Sequence, residues 1–488
     1  MSDPADLDVT AAALLLASRR LSAVELVGAC LARIRERNGV HSADGDPTSV
    51  NAWVRVYEED ALAAAHRSDE GRAAGPVSAL CGIPIGLKDL YAVAGRPLTA
   101  SSRLLDDDVP ARDCDVWRRL AAAGMVLLGH LHTHEFAIGG TTDQVGNPWA
   151  LDRTAGGSSG GSAAALAARM TPAATGTDTA GSLRIPAALS GISTIKPTRG
   201  LVSLAGVVPL GTSLDHAGPM ARTLEDCALL LNAMAGSDRG RPQSALLRPA
   251  PAAALATRGG TRPLAGVRLA VSPRIASVDL DPDVADGFDA ALELCRRLGT
   301  ELVAAPPPAV SLDVGEDYFD VLCAELLAYH RRFDGRRELY RPSIREWVEQ
   351  AEARVVSGER YVAAQLRRRI LTAAWEEWFR AASIAAVVEP TVPIVAHPRG
   401  SGYEHAGSDR THISLTHYWN WTGGPVVALP AGVGSRSGLP VSLSLIGPAG
   451  SDWELLALGR ELQAHLGVPA PPGHDSAAVA EQPAHHVA

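Results

Sequence analysis

Several signatures of common protein classes are missing from this 488-residue sequence. It has no apolar run near the roughly 18 residues that a membrane-spanning helix needs. Its formal net charge is −9, so there is no cationic surplus for nucleic acid or an anionic membrane. Aromatic residues make up only 5% of the chain, which gives no sign of a long lipid-binding tunnel. We therefore expect neither a membrane nor a nucleic acid as partner.

Cysteines are few, widely scattered and never arranged as Cys-x-x-Cys, which argues against a disulfide framework or a zinc ribbon. The N-terminus is acidic before its short Ala/Leu run and basic after it, at Arg19 and Arg20, which is the opposite charge order to a secretory signal. These features predict free thiols in a reducing compartment and a cytoplasmic location. The six cysteines are Cys30, Cys81, Cys114, Cys227, Cys295 and Cys323.

Short apolar runs alternate along the chain with segments of helical periodicity. Ser22 followed by Glu25 forms a capping box at the start of a predicted helix. Because strands alternate with helices, the pattern predicts a mixed α/β sheet covered by helices on both faces. Beyond the middle of the chain, runs typical of strands occur at Val267–Val271, Leu302–Ala304, Ile384–Val388 and Val441–Ile446.

The coarse organisation is one α/β domain with helical additions. Residues 1–75 are predicted to be an N-terminal helical segment, and residues 76–468 to form the main domain. Within that domain, residues 317–381 have helical periodicity and suggest a cap beside the sheet. Residues 242–263 are rich in Pro, Ala and Arg and predict a surface connection. Residues 469–488 lack periodicity and predict a mobile tail.

Three segments, two of them rich in glycine and hydroxyl side chains, concentrate the candidate chemistry. They are Gly-Leu-Lys-Asp at 86–89, Gly-Gly-Ser-Ser-Gly-Gly-Ser at 156–162 and Gly-Thr-Asp-Thr-Ala-Gly-Ser-Leu-Arg-Ile-Pro at 176–186. A Gly/Ser turn that opens onto a helix offers backbone N–H groups to a phosphate or to the oxyanion of acyl transfer. A phosphate loop would end in Gly-Lys-Ser/Thr, and no lysine is there. The residues alone favour acyl transfer over a structural glycine turn without deciding between them.

The three segments, with Lys196-Pro197-Thr198 and Gly200 after them, resemble the amidase signature family. They occur in the family's order and spacing, and the likeness extends from the first predicted helix to the last. The resemblance implies an amidase-signature fold, with a large mixed twisted sheet sandwiched by helices. It also implies hydrolysis of the C–N bond of carboxamides through an acyl-enzyme, without a cofactor or a metal.

The resemblance assigns roles to individual residues. It implies Ser182 as nucleophile, Ser158 as the proton relay that follows a cis peptide, and Lys88 as base. No histidine lies in the three segments, so Lys88 has to be neutral, and burial among apolar neighbours lowers a lysine pKa. Ala180 stands where many family members have glycine, and its N–H is usable only if its φ is negative. The implied oxyanion hole consists of the backbone N–H groups of Thr179, Ala180, Gly181 and Ser182.

Further residues are candidates for supporting roles. We expect Gly157, Asp178 and Arg184 to brace the two serine loops rather than to contact the substrate. Gly139, Gly140, Thr141 and Thr142 are expected near the scissile bond. Candidate pocket walls, each of which also fits simple packing, are Tyr318, Tyr329, His405, Trp419 and Trp421.

Each assignment has a structural alternative. Lys88 and Asp89 could form a solvated ion pair, and Ser158 could merely cap the following helix. A metallohydrolase is a rival class, because alternation would place His130, His132 and His134 on one strand face, where zinc could bind. Glu135 completes the Thr-His-Glu-Phe segment that the family has at this position.

The substrate is less constrained than the chemistry. We favour a stand-alone enzyme for a small amide or carbamate, an aryl acylamidase or a urethanase, with a possible homodimer. The alternative is the amidase subunit of the tRNA-dependent amidotransferase, which resembles this chain across the same core and works with partner chains to release ammonia from glutamine.

Overall fold

The computed structural model describes residues 3–106, 108–236, 262–400 and 410–473. Almost all of the predicted connection at 242–263, residues 474–488 of the predicted tail, and His405 lie outside these residues. The predicted α/β class is confirmed, and the described chain forms one large sheet with helices packed against it.

The sheet has eleven strands within the described residues, in the order β1-β3-β2-β6-β8-β7-β12-β13-β11-β9-β10. It is mixed: β2 is parallel to β3 and β6, whereas β8, β7, β12 and β13 pair in antiparallel fashion. Strands β4 and β5 form a separate pair. The strands are β1 Trp53–Val56, β2 Pro84–Lys88, β3 Val126–Leu131, β4 Gly146–Asn147, β5 Ala150–Thr154, β6 Ala173–Asp178, β7 Ser193–Lys196, β8 His216–Ala221, β9 Arg268–Val271, β10 Glu301–Val303, β11 Ala386–Pro390, β12 Val426–Val433 and β13 Pro440–Ile446.

Helices cover this sheet. Every residue of β2, β6, β7, β8, β11 and β13 is buried, so side chains on both faces of these strands are covered. The helices are α1 Val9–Ala17, α2 Ala23–Arg37, α3 Glu58–Ala74, α4 Asp115–Ala122, α5 Gly160–Ala167, α6 Arg184–Ser190, α7 Leu224–Met234, α8 Pro282–Arg297, α9 Gly315–His330, α10 Pro342–Ala353, α11 Gly358–Ala382, α12 His417–Thr422 and α13 Asp452–Leu466.

Local sequence signals locate several of these elements. The Ser22–Glu25 capping box begins α2, with the Ser22 Oγ accepting from the Glu25 N–H and the Glu25 carboxylate accepting from the Ser22 N–H. The four strand runs predicted beyond the middle of the chain correspond to β9, β10, β11 and β13. Trp53–Val56, within the segment predicted to be helical, instead forms edge strand β1, because its backbone pairs with β3. Local sequence alone does not reveal such a partner.

The helical region around 317–381 contains α9, α10 and α11. Helix α9 contacts both other helices and places Tyr318 beside the turn that contains Ser182. Among the described residues, no helix could span a membrane. All six cysteines are buried and free, as predicted.

Candidate active site

Lys88 ends strand β2 at the centre of the site and is fully buried. Its Nζ is hydrogen-bonded to Ser158 Oγ at 2.7 Å, to Ser159 Oγ at 2.9 Å and to Thr177 Oγ1 at 2.9 Å. Ser158 and Ser159 precede helix α5, and Thr177 belongs to strand β6, which is parallel to β2. The fold therefore surrounds the lysine with three neutral hydroxyl groups.

Burial lowers the Lys88 pKa well below its ordinary value, and the more distant charges of Asp178 and Asp215 offset only part of that effect. The alternative of a solvated Lys88–Asp89 ion pair is wrong. The Asp89 carboxylate is buried and accepts instead from the Thr99 hydroxyl and from the Thr99 and Ser101 N–H groups. Lys88 thus lies where its neutral form is favoured.

The loop before α5 presents Ser158. The Gly157–Ser158 peptide is cis. A Cβ added to Gly157 would lie 1.9 Å from the Thr141 carbonyl oxygen, so only glycine fits against that backbone. The Ser158 carbonyl accepts from the His134 N–H at 3.0 Å, which fixes the loop from its other side. Ser159 begins α5 without a side-chain capping bond, so the helix-cap alternative does not account for these serines.

The turn that follows β6 contains Ser182, and all four of its carbonyl groups have partners. The Thr179 carbonyl accepts from the Tyr318 hydroxyl at 2.8 Å, and the Ala180 carbonyl accepts from Thr416 Oγ1. The Gly181 and Ser182 carbonyls accept from backbone N–H groups of Ile185 and Ser159. Among the described residues, no acceptor is found for the N–H groups of Thr179 to Ser182. Ala180 is not one of the residues with positive φ.

A buried ion pair supports this turn from below. Arg184 donates through Nε and Nη2 to the two oxygens of Asp178, which also accepts from the Leu183 N–H at 3.1 Å. Asn420 donates to Asp178 Oδ1 at 2.8 Å and accepts from Arg184 at 2.6 Å. Burial raises the Asp178 pKa, but Arg184 outweighs it and holds the pKa below its ordinary value. Asp178 and Arg184 therefore contact each other and the turn, as bracing residues would.

A cavity of about 650 Å³ opens onto Ser182. Its walls include Gly139, Gly140 and Thr141, whereas Thr142 bonds to the Ser158 loop and does not line it. Apolar and aromatic side chains form much of the lining: Tyr318, Phe319, Leu322, Leu326, Trp347, Ile394, Val395 and Ile413. The lining also includes Arg153, Asp281, His397, Arg410 and His412.

Three of the aromatic residues proposed as walls do not line this cavity. Trp419 is buried and donates to Glu389 Oε1 at 2.5 Å. Trp421 packs beneath the Arg368 guanidinium, and Tyr329 packs against Phe136. Tyr318 is the one described candidate that lines it. The other three are packing residues because elements distant in sequence cover them.

The prediction of a shared strand face for three histidines is wrong. Strand β3 ends at Leu131, so only His130 belongs to it. The His130 ring bonds to the Tyr57 hydroxyl and the Tyr91 carbonyl, and His134 Nδ1 bonds to the Thr141 carbonyl at 2.7 Å. Within the described ranges, no group of three His, Cys, Asp or Glu side chains is arranged to hold a metal ion.

Sequence reasoning missed several side chains of the site. Thr177 lies inside the third segment, but nothing in the local sequence indicates that it faces Lys88. Thr416 and Asn420 hold the Ser182 turn from elements more than a hundred residues away. No local pattern distinguishes them. Tyr318 was expected only as a pocket wall, and its hydroxyl also holds the turn.

Known proteins provide an independent comparison. A family model described as "Amidase" matches residues 38–456. The chain is 37% identical to a glutamyl-tRNA(Gln) amidotransferase subunit from Ralstonia nicotianae, over 92% of this chain and 95% of that protein.

Two solved structures are similar throughout. One is a chain of a vestigial protein complex that reveals the evolutionary origins of an s-triazine catabolic enzyme. It has a TM-score of 0.84 and 28% identity, and the match covers 95% of this chain and 99% of that one. The 6-aminohexanoate cyclic dimer hydrolase has a TM-score of 0.82 and 27% identity, covering 97% and 99%. The chain belongs to the amidase family and is a hydrolase of carbon–nitrogen bonds.

Proposed function

We propose that this chain cleaves a carboxamide through an acyl-enzyme on Ser182, with Ser158 as relay and Lys88 as base. The observation that carries the proposal is the 2.7 Å hydrogen bond between Lys88 Nζ and Ser158 Oγ, inside a buried shell of hydroxyl groups. A hydroxyl is a weak nucleophile until a base removes its proton. Neutral Lys88 is the available base at that position.

Acylation and deacylation use the same three side chains. Ser182 Oγ attacks the amide carbon while its proton passes to Ser158, whose own proton passes to Lys88. The tetrahedral intermediate collapses, the C–N bond breaks, and the nitrogen leaves with a proton returned from Lys88 through Ser158. Water then attacks the ester carbon and gives a proton to the same base, and Ser182 and the carboxylic acid are released. The N–H groups of the turn at 179–182 stabilise the oxyanion in both halves.

Covalent labelling tests the nucleophile. A fluorophosphonate should add once to the full chain, and mass spectrometry should locate the adduct on Ser182. Ser182→Ala should abolish labelling and amide turnover, whereas Ser162→Ala, a change in the same serine-rich region, should leave labelling on Ser182. An adduct on another residue of the wild-type protein would refute the assignment.

The amide substrate is the finer part of the proposal. The similarity to a glutamyl-tRNA(Gln) amidotransferase subunit favours the alternative, release of ammonia from glutamine beside partner subunits, over an aryl amide or carbamate as substrate. A specific observation keeps a stand-alone amidase as the second candidate: much of the cavity lining is apolar, which fits a less polar amide. The name of this relative also includes tRNA. We assign any contact with tRNA to an assembly with partner subunits and not to this chain alone.

One panel of substrates distinguishes the amidotransferase role from the stand-alone amidase. The purified chain is assayed with glutamine, anilides, carbamates and primary amides, and then with glutamine after addition of the other subunits of a glutamyl-tRNA(Gln) amidotransferase. Ammonia release that appears only with those subunits supports the amidotransferase role. Rapid turnover of a small amide by the chain alone, with glutamine inert under both conditions, would refute that role.

A further inference from the structure

A second cavity, of about 480 Å³, lies away from Ser182, between the N-terminal region, the loop at 99–106 and the segment before α10. Its lining includes His41 and Arg55, Ser101 and Arg103, and the buried ring of His132. The three residues proposed for catalysis do not line it. It is therefore separate from the active-site cavity.

His132 is in the lining of this cavity, and one nitrogen of its buried ring has no hydrogen-bond partner among the described residues. Gln144 Nε2 donates to the Thr133 carbonyl at 2.9 Å, which identifies it as the amide nitrogen, and it lies 3.3 Å from His132 Nδ1. Ser101 Oγ also lies 3.2 Å from His132 Nδ1, and it can donate its hydroxyl proton while it accepts from the Thr133 N–H, so both neighbours fit His132 Nδ1 as the acceptor. Burial lowers the pKa of His132 to about 3, so the ring is neutral and its single proton is on Nε2. No partner for this buried Nε2 is found among the described residues.

Arginines and carboxyl groups both line the rest of this cavity. Arg55 and Arg103 are exposed, and no ion pair of either is found in the part of the chain that the structure describes. Of the carboxyl groups in the lining, Asp44 pairs with Arg341 at 2.9 Å, and Asp106 is exposed.

The third carboxyl group of the lining, Glu135, is buried. It accepts from Ser102 Oγ and from the Arg341 N–H, and burial raises its pKa to about 7. This carboxyl is thus partly neutral near neutral pH and already supplied with donors. Among the described residues, the groups of this lining without an ion pair or hydrogen bond include the His132 Nε2, the guanidinium groups of Arg55 and Arg103, and the exposed carboxyl group of Asp106.

We propose that this cavity binds a small organic oxyanion, a carboxylate or a phosphate ester. One ligand oxygen accepts from the His132 Nε2–H at the bottom, and Arg55 and Arg103 neutralise its charge at the entrance. Guanidinium groups match both anions geometrically, and a buried N–H without an acceptor is otherwise costly.

The cavity is also connected to the active site through the segment from His132 to Glu135. His132 and Glu135 line the second cavity, whereas His134 lines the active-site cavity. The His134 N–H donates to the Ser158 carbonyl, and the His132 carbonyl accepts from the Gly161 N–H at 3.1 Å. A ligand that binds to His132 therefore shifts the loop of Ser158, an effect that rests on the proposed role of that serine.

Binding is tested by isothermal titration calorimetry of the full chain with inorganic phosphate and with succinate. One of these anions should bind with one-to-one stoichiometry, and Arg55→Gln/Arg103→Gln should weaken its binding by about tenfold or more. Arg297→Gln, an exposed arginine on α8, is the matched control and should leave binding unchanged. Ser182→Ala should also retain binding, which separates this site from the proposed catalysis.

Absence of saturable binding of both anions at millimolar concentrations would overturn the site, as would equal binding by the double variant. The connection is tested by the rate of fluorophosphonate labelling of Ser182. Saturating anion should change that rate about fivefold or more in the wild type and not in the double variant. An unchanged rate with the anion bound would overturn the connection.

Discussion

Arg184 and Asp178 meet through two hydrogen bonds, of 2.9 Å from Nε to Oδ2 and 3.0 Å from Nη2 to Oδ1, directly beneath the turn of Ser182. Both side chains are essentially inaccessible to solvent. The Asp178 carboxylate also accepts hydrogen bonds from the Leu183 N–H and from the Asn420 side-chain amide. Its geometry connects strand β6 to helices α6 and α12, so the position of the nucleophile depends on a charge pair that does not contact the cavity.

Asp178→Asn should reduce the free energy of unfolding by about 3–5 kcal/mol, because it leaves the Arg184 charge buried without a counter-ion. Equilibrium denaturation in urea measures the change. Glu293→Gln removes one partner of an exposed ion pair with Arg296 and should cost no more than about 1 kcal/mol. Equal losses in the two variants would contradict the bracing role of Asp178.

Lys88→Met should slow acylation of Ser182 by several orders of magnitude, because no other base is in contact with Ser158 among the described residues. Lys88→Arg should be equally slow, since a guanidinium does not give up its proton. Because the Lys88 pKa is lowered, the acid limb of the wild-type pH–rate profile should lie well below the roughly 10.4 of an ordinary lysine. Stopped-flow labelling with the fluorophosphonate measures the acylation rates of the wild type and of both variants. A fast Lys88→Arg enzyme would refute the base assignment.

The same lysine makes stability depend on pH. Its folded-state pKa is lowered, so between that value and about 10.4 the unfolded chain holds a proton that the folded chain lacks. The stability of the wild type relative to Lys88→Met should therefore rise with pH, by up to about 1.4 kcal/mol per unit. Denaturation of both proteins at two alkaline pH values checks the sign. A difference that does not change with pH would show that Lys88 is charged in the folded state.

Gly157→Ala should abolish activity while the chain still folds, because the new methyl group would collide with the Thr141 carbonyl and displace the Ser158 loop. Circular dichroism and the labelling rate give the two readouts. Gly28→Ala is the control: it is in helix α2 with open space around it, and should stabilise the protein by about 0.5–1 kcal/mol without changing the rate. A fully active Gly157→Ala protein would contradict the packing described here.

Tyr318→Phe should lower kcat about tenfold with little change in KM, because it removes the hydroxyl that fixes the Thr179 carbonyl and leaves the aromatic ring in the cavity wall. Tyr361→Phe removes a hydrogen bond to Glu325, away from the turn, and is the matched control. Steady-state kinetics of both variants measures kcat and KM separately. If Tyr318→Phe raises KM alone, Tyr318 acts on the substrate and does not position the turn.

The locally encoded parts of the protein could be predicted from the sequence. Ser22 and Glu25 begin a helix because both partners of the capping box are three residues apart. Strands β9, β10, β11 and β13 coincide with short apolar runs. Such runs are buried whatever their neighbours in the fold, so they can be predicted from sequence. The three segments at 86–89, 156–162 and 176–186 could be recognised because their glycines, hydroxyl groups and lysine occur in the order and spacing of a family pattern. Each of these signals is short in sequence.

The sequence by itself thus determined the α/β class, the family and the three segments on which the proposed chemistry depends. The tertiary structure decided what surrounds them: the hydroxyl of Thr177 at Lys88, the Asn420 amide at Asp178, and the Tyr318 hydroxyl at Thr179. It also separated His132 from His134, so that each lines a different cavity. Such contacts join residues far apart in the chain, and only the pairing order of the sheet and the packing of the helices bring them together.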